Sequence, residues 1–189
     1  MNIKVILPLV LAAFAMQVRA EYPTISQSQN NTGGHSLATN IGYSLKTTAR
    51  PEDARPPLKL KFTAADGSPV DLSALRGHVV LVDFWATWCP PCMQEAPNVV
   101  AAYQKYHAQG FDVIGISLDE DKQRMLSVAR SQGMTWPQYF DGQGWDNKLA
   151  ASFGIRSIPT MWLVNKKGVL VSTDARGNLD SEVPALLAE

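Results

Sequence analysis

Val79 to Pro97 reads VVLVDFWATWCPPCMQEAP. It carries the only two cysteines of the 189-residue chain, Cys89 and Cys92, spaced C-x-x-C. Before them runs an apolar segment, Val79 to Trp85, broken by one acid, Asp83. Such a run is the pattern of a central strand covered on both faces. After them the pattern turns helical, and the spacing predicts a helix from Pro90 to Gln109, stopped by Gly110. Met93, Ala96, Val100 and Tyr103 form its expected buried stripe. Pro97 falls inside it and is expected to bend it.

Cys89 is thereby placed where strand gives way to helix. A helix N-terminus carries unpaired N–H groups and partial positive charge, which stabilise a thiolate. The thiolate is the nucleophile of disulfide exchange. Cys92 lies one turn on, within reach of a mixed disulfide formed at Cys89, and is expected to resolve it. Pro90 and Pro91 lack N–H groups, which leaves the Cys92 and Met93 amides as the nearest donors to the Cys89 sulfur. A moderately lowered Cys89 pKa follows, and with it a bias toward reduction. Asp83, buried six residues before Cys89, is expected to have a raised pKa and to take and return the Cys92 proton. A C-x-x-C pair closes too small a loop to staple a fold well, so a redox use is favoured over a structural one.

Formal net charge is zero and no Lys/Arg run appears, which argues against nucleic acid. Residues 1–20 have the form of a signal peptide: Lys4, an apolar run from Val5 to Met16, then Val18-Arg19-Ala20. Cleavage and export to the periplasm or its equivalent are expected, leaving a soluble chain; the alternative is an uncleaved N-terminal anchor. Removing Lys4 and Arg19 leaves 15 basic against 17 acidic residues. Residues 21–57 are polar, contain Gly33-Gly34 and end in a run with Pro51, Pro56 and Pro57. They are expected to form a flexible or loosely docked arm. A folded domain over 58–189 follows.

In that domain Leu58 to Phe62 and Pro69 to Leu72 are expected to pair as a hairpin about Ala65-Asp66-Gly67-Ser68. Phe111 to Leu118 is a second buried strand, and Asp119 is the expected cap of a helix from Glu120 to Gln132. Thr135 to Phe140 holds a short extended segment, and Asp146 is expected to cap a helix to Phe153. Thr160 to Val164 and Val169 to Thr173 make a second hairpin, and a helix from Ser181 to Ala188 has Pro184 in its first turn. Alternating strands and helices imply an α/β fold with a mixed sheet flanked by helices.

The WATWCPPC block, Asp83, Pro97 and the distant Ile158-Pro159 resemble the thioredoxin superfamily. Within it, the leading hairpin, Glu95 in CMQEAP, the segment from Gly110 through Phe140 and GIRSIPTMWLVNKKGVL are similar to the exported TlpA/ResA branch, related to the redoxins. The resemblance covers about Leu58 to Glu189. It implies a thioredoxin-like fold with an N-terminal hairpin and a central insertion, a cis bond before Pro159, and a pairing of Cys89 with Cys92 as the redox-active disulfide, with no other cofactor. It implies a substrate surface of Trp88, Pro90, Pro91, Ile158 and Pro159. Members of this branch keep exported cysteines reduced, including haem-attachment cysteines of c-type cytochromes, with electrons from a membrane thiol carrier. Several cytochrome-maturation members place an acid inside the C-x-x-C, where this chain has two prolines. A monomeric protein-disulfide reductase acting on exported protein thiols and disulfides is the expectation.

Two other functions compete. A thiol peroxidase commonly has Thr-x-x-Cys with a nearby Arg, whereas Thr87 is two before Cys89 and no Arg is close. A metal-binding or metallochaperone module would use the two thiolates, but no second C-x-x-C accompanies them and His35, His78 and His107 are dispersed in sequence.

Overall fold

The computed structural model describes residues 54–189. The expected signal segment, and the expected arm as far as residue 53, lie outside the described residues. Two short strands come first, β1 (Lys61–Thr63) and β2 (Pro69–Asp71), paired antiparallel with Phe62 opposite Val70. The first begins three residues later than expected. Leu60 O still accepts from the Leu72 amide at 2.9 Å, but Leu58 donates its amide to Gly168 O at 2.8 Å, so the chain leaves the hairpin before Leu60.

The main sheet has five strands in the order β5-β4-β3-β6-β7. Its centre is β3 (Val79–Trp85), whose seven residues are all buried. On one side β4 (Phe111–Ser117) runs parallel to it, followed by β5 (Gln138–Tyr139). On the other, β6 (Thr160–Val164) runs antiparallel, followed by β7 (Leu170–Ser172). Burial of side chains such as Leu81, Phe84 and Ile114 stabilises the fold by about 1.5–3 kcal/mol each. Since β6 is antiparallel, its start lies at the same end of the sheet as the ends of β3 and β4. Phe84 faces Thr160 in register, and Trp85 faces Ser117.

Helix α1 (Pro90–Tyr106) continues through Pro97 and passes into a short 3-10 turn, closed by Gly110 at φ 95°. Its buried residues are Cys92, Ala96, Val99, Ala102 and Tyr106. The expected stripe of Met93, Val100 and Tyr103 is only half-buried and forms a flank, with the Tyr103 ring 5.2 Å from that of Trp136. Alanines at 96 and 102 mark the face turned inward.

Three helix starts differ from expectation. Helix α2 (Lys122–Gln132) is capped by Asp121, whose side chain accepts from the Arg124 amide, and not by Asp119. Helix α3 (Lys148–Ser152) is capped by Asn147 through the Ala150 amide, and not by Asp146. Helix α4 (Leu179–Leu187) begins two residues early, which places Pro184 in its interior. Leu179 and Val183 are buried one turn apart, so packing extends the helix N-terminally past the start that the proline suggested. Among the described residues no helix is long and apolar enough to cross a membrane.

One close contact joins the sheet to the site. A Cβ at Gly115 would overlap the Gln138 side-chain amide, and that amide oxygen accepts from Trp85 Nε1 at 2.9 Å. Gly115→Ala is expected to lower stability by about 1–3 kcal/mol, as overpacking does. A denaturant midpoint equal to that of the parent would contradict this.

Candidate active site

The cysteines lie at the end of β3, where open α/β sheets place their ligands. Cys89 is the N-cap of α1, and Pro90 and Pro91 fill the first two helical positions. Proline fits there because those amides would have no helical partner. Cys89 and Cys92 are joined in a disulfide with Cα atoms 5.3 Å apart, and each is only 4% exposed. The Cys92 amide donates to Cys89 Sγ at 3.2 Å. The Met93 amide, expected as a second donor to that sulfur, is bonded to the Cys89 carbonyl at 3.1 Å instead. The two prolines therefore leave the sulfur with one local amide.

Asp83 sits in β3 between Gly115 and Met161 of the neighbouring strands and is 5% exposed. Its pKa is pushed up to about 7, first by burial and second by the charge of Glu95. Among the described residues no hydrogen-bond donor is paired with its carboxyl group. Glu95 is half-buried in α1, and its carboxylate accepts from Asn98 Nδ2 at 3.2 Å and from the Gly177 amide at 3.4 Å. Two carboxyl groups thus share this region, one held by donors and one without them. A buried carboxyl group without donors favours its protonated form, which is the direction in which Asp83 is shifted.

The segment between β3 and α1 is clamped to the end of β4. Buried Asp119 accepts from the Thr87 amide at 3.1 Å, from Thr87 Oγ1 at 2.5 Å and from Ser117 Oγ at 2.8 Å. Trp88 donates from Nε1 to Leu118 O at 3.3 Å, which leaves its ring 44% exposed beside Cys89. The Ile158–Pro159 bond is cis, and Pro159 is buried directly before the first residue of β6. It therefore lies at the same end of the sheet as the cysteines. Pro90 and Pro91 are exposed, and Ile158 is half-buried. His78 and His107, dispersed in sequence, meet at Asp112 with Nδ1 to oxygen distances of 2.6 and 3.2 Å. Asp112 is near the start of β4, at the end of the sheet remote from the disulfide. Among the described residues no three His, Cys, Asp or Glu side chains are grouped as a metal site.

Residues 50–188 match the family model described as Redoxin. The chain belongs to the redoxin family. Among its curated relatives in sequence is the thiol-disulfide oxidoreductase ResA of Bacillus subtilis, 29% identical over 106 residues, which are 56% of this chain and 58% of that protein. The ResA of Geobacillus kaustophilus is 30% identical over 135 residues, covering 71% of this chain and 74% of that one. In structure this redoxin is similar to a thiol:disulfide interchange protein of the thioredoxin family from Chlorobium tepidum, with TM-score 0.60 and 28% identity over 71% of this chain and 99% of that one. The chain spans about three fifths of the length of the first of these relatives. Its fold is thioredoxin-like, and the chain is a TlpA/ResA-like member of the thioredoxin superfamily.

Within this redoxin the sequence brought forward Cys89, Cys92, Asp83, Trp88, Pro90, Pro91, Ile158 and Pro159, and the fold gathers them at one end of the sheet. It did not bring forward the Asp119 clamp, nor Trp145, whose ring lies 6.0 Å from that of Trp88. The three consecutive acids at 119–121 look alike in sequence. Only the position of Asp119 directly after a buried strand hinted that it points inward.

The raised pKa of Asp83 makes stability depend on pH. The folded state holds this proton up to about pH 7, whereas an unfolded chain releases it near 3.8. Stability contributed this way is complete below pH 3.8 and falls as pH rises to about 7. Asp83→Asn is expected to flatten that fall and to exceed the parent by on the order of 2–4 kcal/mol at pH 8. Denaturant titrations from pH 4 to 8 measure it, and parallel curves for the two proteins would contradict it.

Proposed function

We propose that this redoxin-family chain is a thiol–disulfide oxidoreductase that exchanges two electrons with protein disulfides through Cys89 and Cys92, working mainly as a reductase. The observation that carries this is the disulfide at the N-terminus of α1, at the end of the strand that buries Asp83. The relatives named as thiol-disulfide oxidoreductases support it. In the reduced enzyme the Cys89 thiolate attacks one sulfur of a client disulfide and forms a mixed disulfide, releasing the other client sulfur as a thiolate that takes up a proton. Cys92 then gives its proton to the ionised form of Asp83, which a pKa of about 7 keeps populated near neutral pH, and attacks Cys89 Sγ. The second client thiolate leaves and is protonated from Asp83. The client has gained two electrons and two protons, and the Cys89–Cys92 disulfide is restored.

A second dithiol must reduce the enzyme again, and a membrane thiol carrier is the donor proposed. Residues 1–20 are proposed as a cleaved signal peptide, 21–57 as an arm and 58–189 as the working domain, which places the clients among exported proteins. Cytochrome c maturation is one such use. Trp88, Pro90, Pro91, Ile158 and Pro159 are proposed to form the surface against which a client lies.

Cys92→Ser is the decisive variant, because it permits attack and prevents resolution. Expressed with its full leader, it is expected to accumulate as mixed disulfides on Cys89, seen as higher-mass species that collapse with reductant. Cys89→Ser should show none. Absence of such species in both variants would contradict the exchange mechanism.

A further inference from the structure

Among the described residues two large apolar side chains stand out in solvent, Trp88 and Trp145, the latter 48% exposed. Their rings lie 6.0 Å apart, tilted by 55°. Leaving two indoles in water forgoes hydrophobic stabilisation. Both are nevertheless held in place. Trp88 is fixed by its bond to Leu118 O. Trp145 rides on a loop organised by Asp141, whose carboxylate accepts from Tyr139 OH, the Gln143 amide, Asn147 Nδ2 and the Lys148 amide at 2.8–3.2 Å. Buried Asn147 ties this loop to the end of β4 through Ser117 O at 3.0 Å. At Gly144 φ is +55°, and a Cβ there would come within 2.9 Å of Glu120 Oε1. The backbone therefore passes close over Glu120 just before it presents Trp145.

The charge beside this pair is negative. A depression of about 260 Å³ next to Trp88 is lined by Asp119, Glu120, Asp121 and Arg124. Asp119 is committed to Thr87 and Ser117, and Asp121 to the cap of α2. Glu120 is exposed, and among the described residues its carboxylate has no hydrogen-bond or ion-pair partner. Asp146, beside Trp145, is also exposed. Indole faces attract cations through their quadrupole, and a neighbouring unpaired carboxylate adds to that attraction.

We propose, resting on the thiol–disulfide exchange above, that Trp145 with Trp88 and Glu120 selects extended client segments carrying a lysine or arginine close to the reacting cysteine. Trp145 is a specificity-determining residue here and takes no part in the exchange of bonds, which stays with Cys89 and Cys92.

Two disulfide-bearing peptides, identical except for Lys or Ala two residues from the cysteine, are compared as substrates of the reduced full chain. The kcat/KM for the lysine peptide is expected to exceed that for the alanine peptide by roughly three- to tenfold, the size of a cation–π contact. The ratio is expected to fall with added salt. Trp145→Ala and Glu120→Gln should each bring it close to one, and Trp145→Phe should restore most of it. An equal ratio in the parent and Trp145→Ala overturns the proposal. So does a loss of both rates by one common factor, which is what a purely structural role produces. Exchange with neither peptide would overturn the proposed function itself. Exchange without a lysine preference removes only the selection.

Discussion

The Cys92 amide donates to Cys89 Sγ at 3.2 Å, so one sulfur is both the cap of α1 and half of the disulfide. An oxygen cap, as in Ser or Asp, would satisfy the same amide more strongly and do no redox chemistry. With sulfur in that position, the electronic state of the thiol and the start of the helix are one variable. The prolines at the next two positions narrow it further, because they remove amides that could have turned toward the sulfur. The Met93 amide is withdrawn as well, being spent on the Cys89 carbonyl. What stabilises a thiolate here is one amide and the field of a 17-residue helix.

That arrangement depends on β3. Its seven residues are buried, so the strand end that delivers Cys89 is immobile at the level of packing. The same burial creates the electrostatic condition of the site. Asp83 pays for its place among apolar neighbours by holding its proton, and the charge on Glu95 adds to the effect. Glu95 itself accepts hydrogen bonds from Asn98 Nδ2 and the Gly177 amide. Two acids of the same region thus differ in hydrogen bonding. The burial that raises Asp83 depends on the strands to either side of β3, whose Gly115 and Met161 flank it.

Much of this was legible in the sequence, for identifiable reasons. β3 and β6 were found at their true bounds because unbroken apolar runs have one stable solution in a two-sided sheet. Cys89, Cys92 and Asp83 stand out in the sequence because each interrupts its surroundings chemically. The buried stripe of α1 was misplaced by one position, since that helix packs on α2, α4 and β4 and its apolar face is wide. Hydrophobicity alone does not rank Met93 above Cys92. Caps were misassigned where acids or amides stand adjacent, as at 119–121 and 146–147, because capping is decided by backbone geometry one residue at a time. Trp145 was passed over because nothing local distinguishes it. Its significance comes from a neighbour on another element.

The loop that carries Trp145 has a further property. Asp141 gathers four donors from within residues 139–148, and the loop leans on the rest of the fold mainly through Asn147. Its internal bonds use backbone amides and the side chains of Tyr139, Asp141, Gln143 and Asn147, while residues 145 and 146 are exposed and their side chains are outside them. Inherited changes at those tip positions leave the knot around Asp141, and the redox pair beyond it, structurally untouched. The residues proposed to choose a client and the cysteines proposed to react with it are therefore separable parts of one scaffold.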